Sequence, residues 1–100
     1  MPENVSRDDF AAQLNTKFRV FREPVWFECE LIEVSKTKTA PRRESFSLLF
    51  LMLKDFPAEQ GLYPFEHERI GATEIFVVPI AREPNGVVFE AIFSRITNQS

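Results

Sequence analysis

Hydrophobic and polar positions alternate with a period of two through most of this chain, and that rhythm predicts strands. Phe18 and Val20 alternate with Lys17, Arg19 and Phe21, giving a strand over about 17–22 that stops at Glu23-Pro24. The next run, about 25–34, places Val25, Phe27, Cys29 and Leu31 on one face and Trp26, Glu28 and Glu30 on the other. Its alternation then slips, with Ile32 and Val34 apolar around Glu33. One inserted residue near Leu31-Ile32, a β-bulge, restores the inward face after such a slip. The run over about 45–53 is apolar on both sides, with Phe46, Leu48, Phe50 and Met52 opposed to Leu49, Leu51 and Leu53. A strand of that kind must be covered on both faces. Shorter alternations predict strands over about 62–67, 73–80 and 87–96, the last with Val87, Phe89, Ala91 and Phe93 on one side.

Ahead of the first strand the pattern is helical. Ser6 suits an N-cap, Asp9 stands where a capping-box partner belongs, and Asp8 and Asp9 favour the positive end of a helix. Phe10, Ala11 and Leu14 share a face, so a helix over about 6–14 is expected, ended by Asn15. Ser35 to Arg43 is polar, basic and broken by Pro41, and reads as an exposed loop; Lys54 to Gly61 reads as a turn-rich connection. Pro64 argues for an edge position in its strand. Glu83-Pro84-Asn85-Gly86 is the clearest hairpin signal, with Asn-Gly between two apolar alternations. The tail Thr97 to Ser100 is polar and expected to fray. Six strands, short connections and one short N-terminal helix predict a mainly β fold in a single domain over 1–100. The expected form is an antiparallel six-stranded meander, a partly closed barrel or two packed sheets, with the helix plugging one end.

Composition sharpens this picture in three places. Eleven Phe, with Trp26 and Tyr63, give a small domain large buried areas to set against its ordering entropy. A net charge of −3 offers no global attraction to nucleic acid or to an anionic membrane. A single cysteine allows no intrachain disulfide, so the fold must rest on packing. The first ten residues carry no charged segment followed by an apolar run, and no apolar stretch approaches the roughly 20 residues of a membrane span. A cytoplasmic protein is the expectation.

Catalytic chemistry finds little to build on. His67 is the only histidine, and its neighbours Glu66 and Glu68 fall on the opposite face of a strand. No second ligand stands at metal spacing, so no metal or cofactor is expected. Cys29 shares a face with Val25, Phe27 and Leu31, where burial makes a thiol inert. Lys36, Lys38, Arg42 and Arg43 could form an anion patch, yet no aromatic is interleaved with them, and nucleic-acid binding is not expected. The acidic stripe Glu28, Glu30 and Glu33 lies near enough to that loop to pair with it. What exceeds a bland account is apolar surface, since the two-sided runs outstrip what one short helix can cover. Trp26, Tyr63, Phe65, Val88, Ile92 and Ile96 are the candidate contact residues, with edge-strand pairing as a second route. The leading expectation is a non-enzymatic interaction or assembly module whose partner is another protein or a second copy in a homo-oligomer. A carrier of a small apolar ligand inside the barrel is the second, and an enzyme on His67 with Glu44 or Glu90 is the third.

Four strings carry a resemblance: Phe46 to Phe50 (FSLLF), Gln60 to Tyr63, Glu66 to Gly71 and Phe89 to Phe93. The chain after Thr16 resembles a small bacterial domain family of unknown function. That family has a Phe-Ser-Leu-Leu-Phe strand, a Gln-Gly-x-Tyr turn, a Glu-His-x-x-Leu-Gly hairpin and a final aromatic-Glu-Ala strand. Ile70 stands where the family tends to Leu. The resemblance implies an accessory or assembly role beside phage-tail-collar-like proteins, and it carries over no catalytic residue; another surface-filament protein is a further setting for the interaction module expected above.

Overall fold

The computed structural model describes residues 6–53 and 55–96, Arg95 and Ile96 by backbone alone. Among these residues one helix, α1 (Arg7–Ala11), precedes seven strands: β1 (Lys17–Arg22), β2 (Val25–Val34), β3 (Lys38–Ala40), β4 (Arg43–Leu53), β5 (Gly61–His67), β6 (Gly71–Glu83) and β7 (Gly86–Ile96). The tail Thr97 to Ser100 lies outside the described residues. Six strands close an antiparallel barrel in the order β1-β2-β4-β7-β6-β5, and β3 is added to the free flank of β4. The mainly β barrel expected from the alternation is what forms.

Its strand order departs from a simple meander. β4 lies between β2 and β7, while β5 lies across the barrel between β1 and β6. Strand length gives a reason: the 11 residues of β4 are matched rung for rung by the 11 of β7, which the 7 of β5 could not supply. β5 is therefore no edge strand. Its ladder to β1 stops at Val20↔Phe65, so the amide that Pro64 lacks falls just past the last rung.

The alternation sorts side chains as expected. Phe18 and Val20 of β1, Cys29 and Leu31 of β2, Leu48, Phe50 and Met52 of β4, Phe65 of β5, Ile75 and Val77 of β6, and Val87, Phe89 and Ala91 of β7 are buried in one core. Phe50 meets Phe18 at 5.3 Å and Phe65 at 5.0 Å between ring centroids, and Phe56 reaches Phe89 at 5.6 Å. The slip in β2 is a bulge: Leu31 pairs with Phe50 and Glu33 with Leu49, leaving Ile32 as the extra residue. A second bulge leaves Ile80 between Pro79↔Phe89 and Ala81↔Val88.

Three local expectations change. The helix is shorter than 6–14, because Gln13 and Leu14 close tighter turns onto Phe10 and Ala11, and Asn15 turns left-handed at φ 68°. Its capping box forms between Ser6 and Asp9, and Phe10 stacks on Phe93 at 5.7 Å to stopper one end of the barrel. The basic segment is not all loop, since Lys38–Ala40 pairs with Arg43, Glu44 and Ser45. In the last hairpin the turn residues are Pro84 and Asn85, with Glu83 opposite Gly86. Gly86 is required for space: a Cβ there would stand 1.9 Å from the Met52 carbonyl oxygen.

Candidate functional site

His67 points into the end of the barrel that α1 covers. Its Nδ1 accepts the amide of Arg69 at 3.0 Å and lies 3.3 Å from that of Ile70, and its Nε2 is 2.9 Å from Thr16 Oγ1. A ring nitrogen that accepts backbone amides carries no proton, so Nε2–H donates to Thr16, whose hydroxyl donates to the Gln13 carbonyl at 2.7 Å. Burial lowers the pKa of His67, with Arg69 adding to the effect and Glu68 opposing it. The ring also packs on Phe18 at 4.2 Å. These bonds tie the β5–β6 turn to the segment leading into β1. Glu66 faces outward to Arg19, and Glu44 and Glu90 sit in the β4–β7 ladder. The side-chain hydrogen bonds of His67 run to Thr16, Arg69 and Ile70.

Cys29 is buried beside Met52, and burial, with Glu28 adding to it, pushes its thiol up to about 12. A thiol so placed is a packing group. Among the described residues no three His, Cys, Asp or Glu side chains gather to hold a metal, and no helix is long and apolar enough to cross a membrane.

The outer wall is more informative. On β1 and β2, Lys17 meets Glu30 at 3.5 Å and Arg19 stands opposite Glu28, so these two members of the acidic stripe are answered by β1, while Glu33 lies beyond that ladder opposite Leu49. Beside these charges Trp26 packs at a tilt against Phe21, 5.0 Å between ring centroids, and the Arg19 guanidinium lies 4.9 Å from the indole while also pairing with Glu66. A groove of about 360 Å³ runs from Trp26 past Pro64, Phe65, Glu66, Ala72, Thr73 and Glu74. A second, of about 370 Å³, lies on the other side of the Arg19–Glu66 pair, lined by Lys17, His67, Glu68 and Gly71. Two rungs from Pro64↔Glu74 and on the same outer face, Leu62 and Phe76 stand directly opposite each other, 58% and 50% exposed.

The six candidate contact residues do not form one surface. Trp26 is on this wall, 40% exposed. Phe65 is interior, and Tyr63 is half-buried against Phe56 with its hydroxyl on the Glu59 carbonyl at 2.8 Å. Val88 faces outward but is buried between Leu51 and Ala81 in the neighbouring ladders. Ile92, at 68%, is the most exposed large apolar side chain among the described residues, and the Ile96 side chain lies outside them. The pleat explains Phe65, because it shares its face with His67 and not with Leu62. Alternation alone does not single out Leu62, Phe76 and Phe21, each an apolar side chain at the polar-side position of its own strand. Lys36, Lys38, Arg42 and Arg43 are all exposed, around the β3–β4 hairpin, where Pro41 and a positive φ of 64° at Arg42 make the turn.

The sequence profile of the family described as a domain of unknown function, DUF6916, matches residues 5–93, and the chain belongs to that family. The likeness to an uncharacterised small domain is thereby borne out. No curated protein and no solved structure matches the chain.

Proposed function

We propose that this member of the DUF6916 family is a protein-interaction module that holds another protein against the outer wall of its barrel. One observation carries the reading. The interior is filled by the chain's own rings, yet Leu62 and Phe76 on adjoining strands, and Trp26 across β1 from them, remain exposed on the outer wall. About half exposed, each forgoes roughly half of the about 1.5–3 kcal/mol that full burial of a large apolar side chain gives. Clustered exposed apolar groups of this kind mark contact sites more often than chance placement does. Arg19, Glu66 and Glu74 frame the patch and would set orientation, as polar rims do around apolar interface centres. The ring packing inside leaves the carrier reading without a supporting observation. An assembly such as a tail-collar-type structure is the setting suggested by the family resemblance. A photo-crosslinking residue at Phe76, used in native cells, is expected to give one discrete adduct of defined mass. Leu62→Ser and Phe76→Ser together should leave the circular dichroism spectrum unchanged and remove interaction with that adduct's partner. Absence of any adduct, with the protein running only as a monomer, would count decisively against the proposal.

A further inference from the structure

Above the rung Val78↔Glu90 the strands β6 and β7 part. From there β6 pairs only with β5 through Gly71 to Val77, and β7 pairs only with β4 through Ala91 to Ile96. Among the described residues, nothing bonds to the β7-facing lip of β6 or to the β6-facing lip of β7. Other open lips of the barrel are interrupted. β5 carries Pro64 where its ladder to β1 ends, and β6 carries Pro79 and the Ile80 bulge where its ladder to β5 ends. β3 is three residues long, bears Lys38 and runs into Pro41. Proline, lysine, bulges and brevity are the devices by which strand edges are protected from unwanted pairing. Ala91 to Ser94 has none of them.

Two further features lie on the same parting. Phe76 on one lip and Ile92 on the other, 50% and 68% exposed, leave apolar groups on both sides of it. On the inner face of the β6 lip, the Thr73 hydroxyl is buried with no hydrogen-bond partner. Buried polar atoms are rarely left in that state, and each one calls for an explanation. Unpaired backbone on a lip and apolar side chains in front of it are two needs that an added strand meets together, and the enclosed Thr73 hydroxyl marks the same stretch of β6 as incompletely satisfied.

We infer that the parting between β6 and β7 takes up an extended segment of a partner protein, added as a strand along Ala91–Ile96 with apolar residues facing Phe76 and Ile92. This rests on the interaction reading above and names the kind of segment the partner brings. Main-chain bonds give such additions their affinity and alternate side chains their specificity. The required segment is short, about five or six residues, free of proline and apolar at every second position.

The probe is a synthetic Thr-Val-Thr-Val-Thr-Val peptide with blocked ends, compared with the same peptide carrying proline at its third position. At millimolar peptide, amide resonances of alternate residues over Ala91–Ile96 should shift and gain hydrogen-exchange protection. The proline peptide should produce neither change. Ile92→Lys, at a side chain already in water, should keep the fold and weaken binding at least tenfold. Shifts confined to Trp26 and Leu62, or binding indifferent to Ile92→Lys, would overturn the inference while leaving the wall as a contact surface. Self-association through β7 that Ile92→Lys abolishes would also overturn it, by assigning the lip to a second copy. Absence of any adduct from a crosslinking residue at Trp26 or Leu62, with strand addition intact, would sink the wall reading instead.

Discussion

A single atom decides how much a residue can be changed, and three residues here make that testable. Cys29 has a thiol raised to about 12 by burial. In folded protein near pH 8 it should resist a disulfide-forming thiol reagent, reacting only as fast as the barrel opens, and fast labelling of native protein would contradict its placement. His67 has a pKa held below the ordinary 6.5 by burial. The unfolded chain therefore binds the proton first as pH falls, so stability present above that value is lost on descending through the folded-state pKa. The urea midpoint should drop between about pH 7 and pH 5, and His67→Gln, which can still donate to Thr16, should flatten that slope. At Gly86 a methyl group would overlap the Met52 carbonyl, with the backbone itself in the way. Gly86→Ala is expected to cost about 2–3 kcal/mol, read as a lower denaturation midpoint.

Elements fail or hold by what they cover. α1 is too short to stand on its own propensity, and its role is to deliver Phe10 onto Phe93 and Phe46, where it is fully buried. Phe10→Ala should destabilise the fold by about 3–5 kcal/mol, while alanine at exposed Leu14 changes it by less than about 1 kcal/mol. The slip at Ile32 was legible in the sequence because period two is unforgiving: one extra residue reverses every later side chain. β3 was not legible, since Lys38, Thr39 and Ala40 are all exposed and no inward position marks them. The last hairpin was legible as a turn but not in its detail. Pro84 fixes the first turn residue, and Asn85 keeps a negative φ, so Gly86 serves close approach and not a left-handed turn. Exposure followed the same limit. Alternation says which face a side chain occupies, but Val88 and Ile92 share a face and differ because only Val88 has apolar neighbours in both adjoining ladders.

At the level of the whole chain, β strands distant in sequence meet in one core, and this predicts how the protein unfolds. One contiguous cluster joins residues from Phe10 to Ala91, so no part can be released alone at low cost. Far-ultraviolet circular dichroism and Trp26 fluorescence should report the same midpoint in urea, and two separate transitions would show that the core is divided. Refolding should take milliseconds to seconds, as for barrels built on non-local pairing. The strand order was beyond the sequence because alternation ranks faces and leaves neighbours open; only the matching lengths of β4 and β7 hint at their union. That order also bears on synthesis. β7 is the latest strand to leave the ribosome, yet it is the one that separates β4 from β6. Until it emerges, the most apolar strand of the nascent chain lacks the neighbour that pairs along its full length, and its edge stands open to unwanted strands.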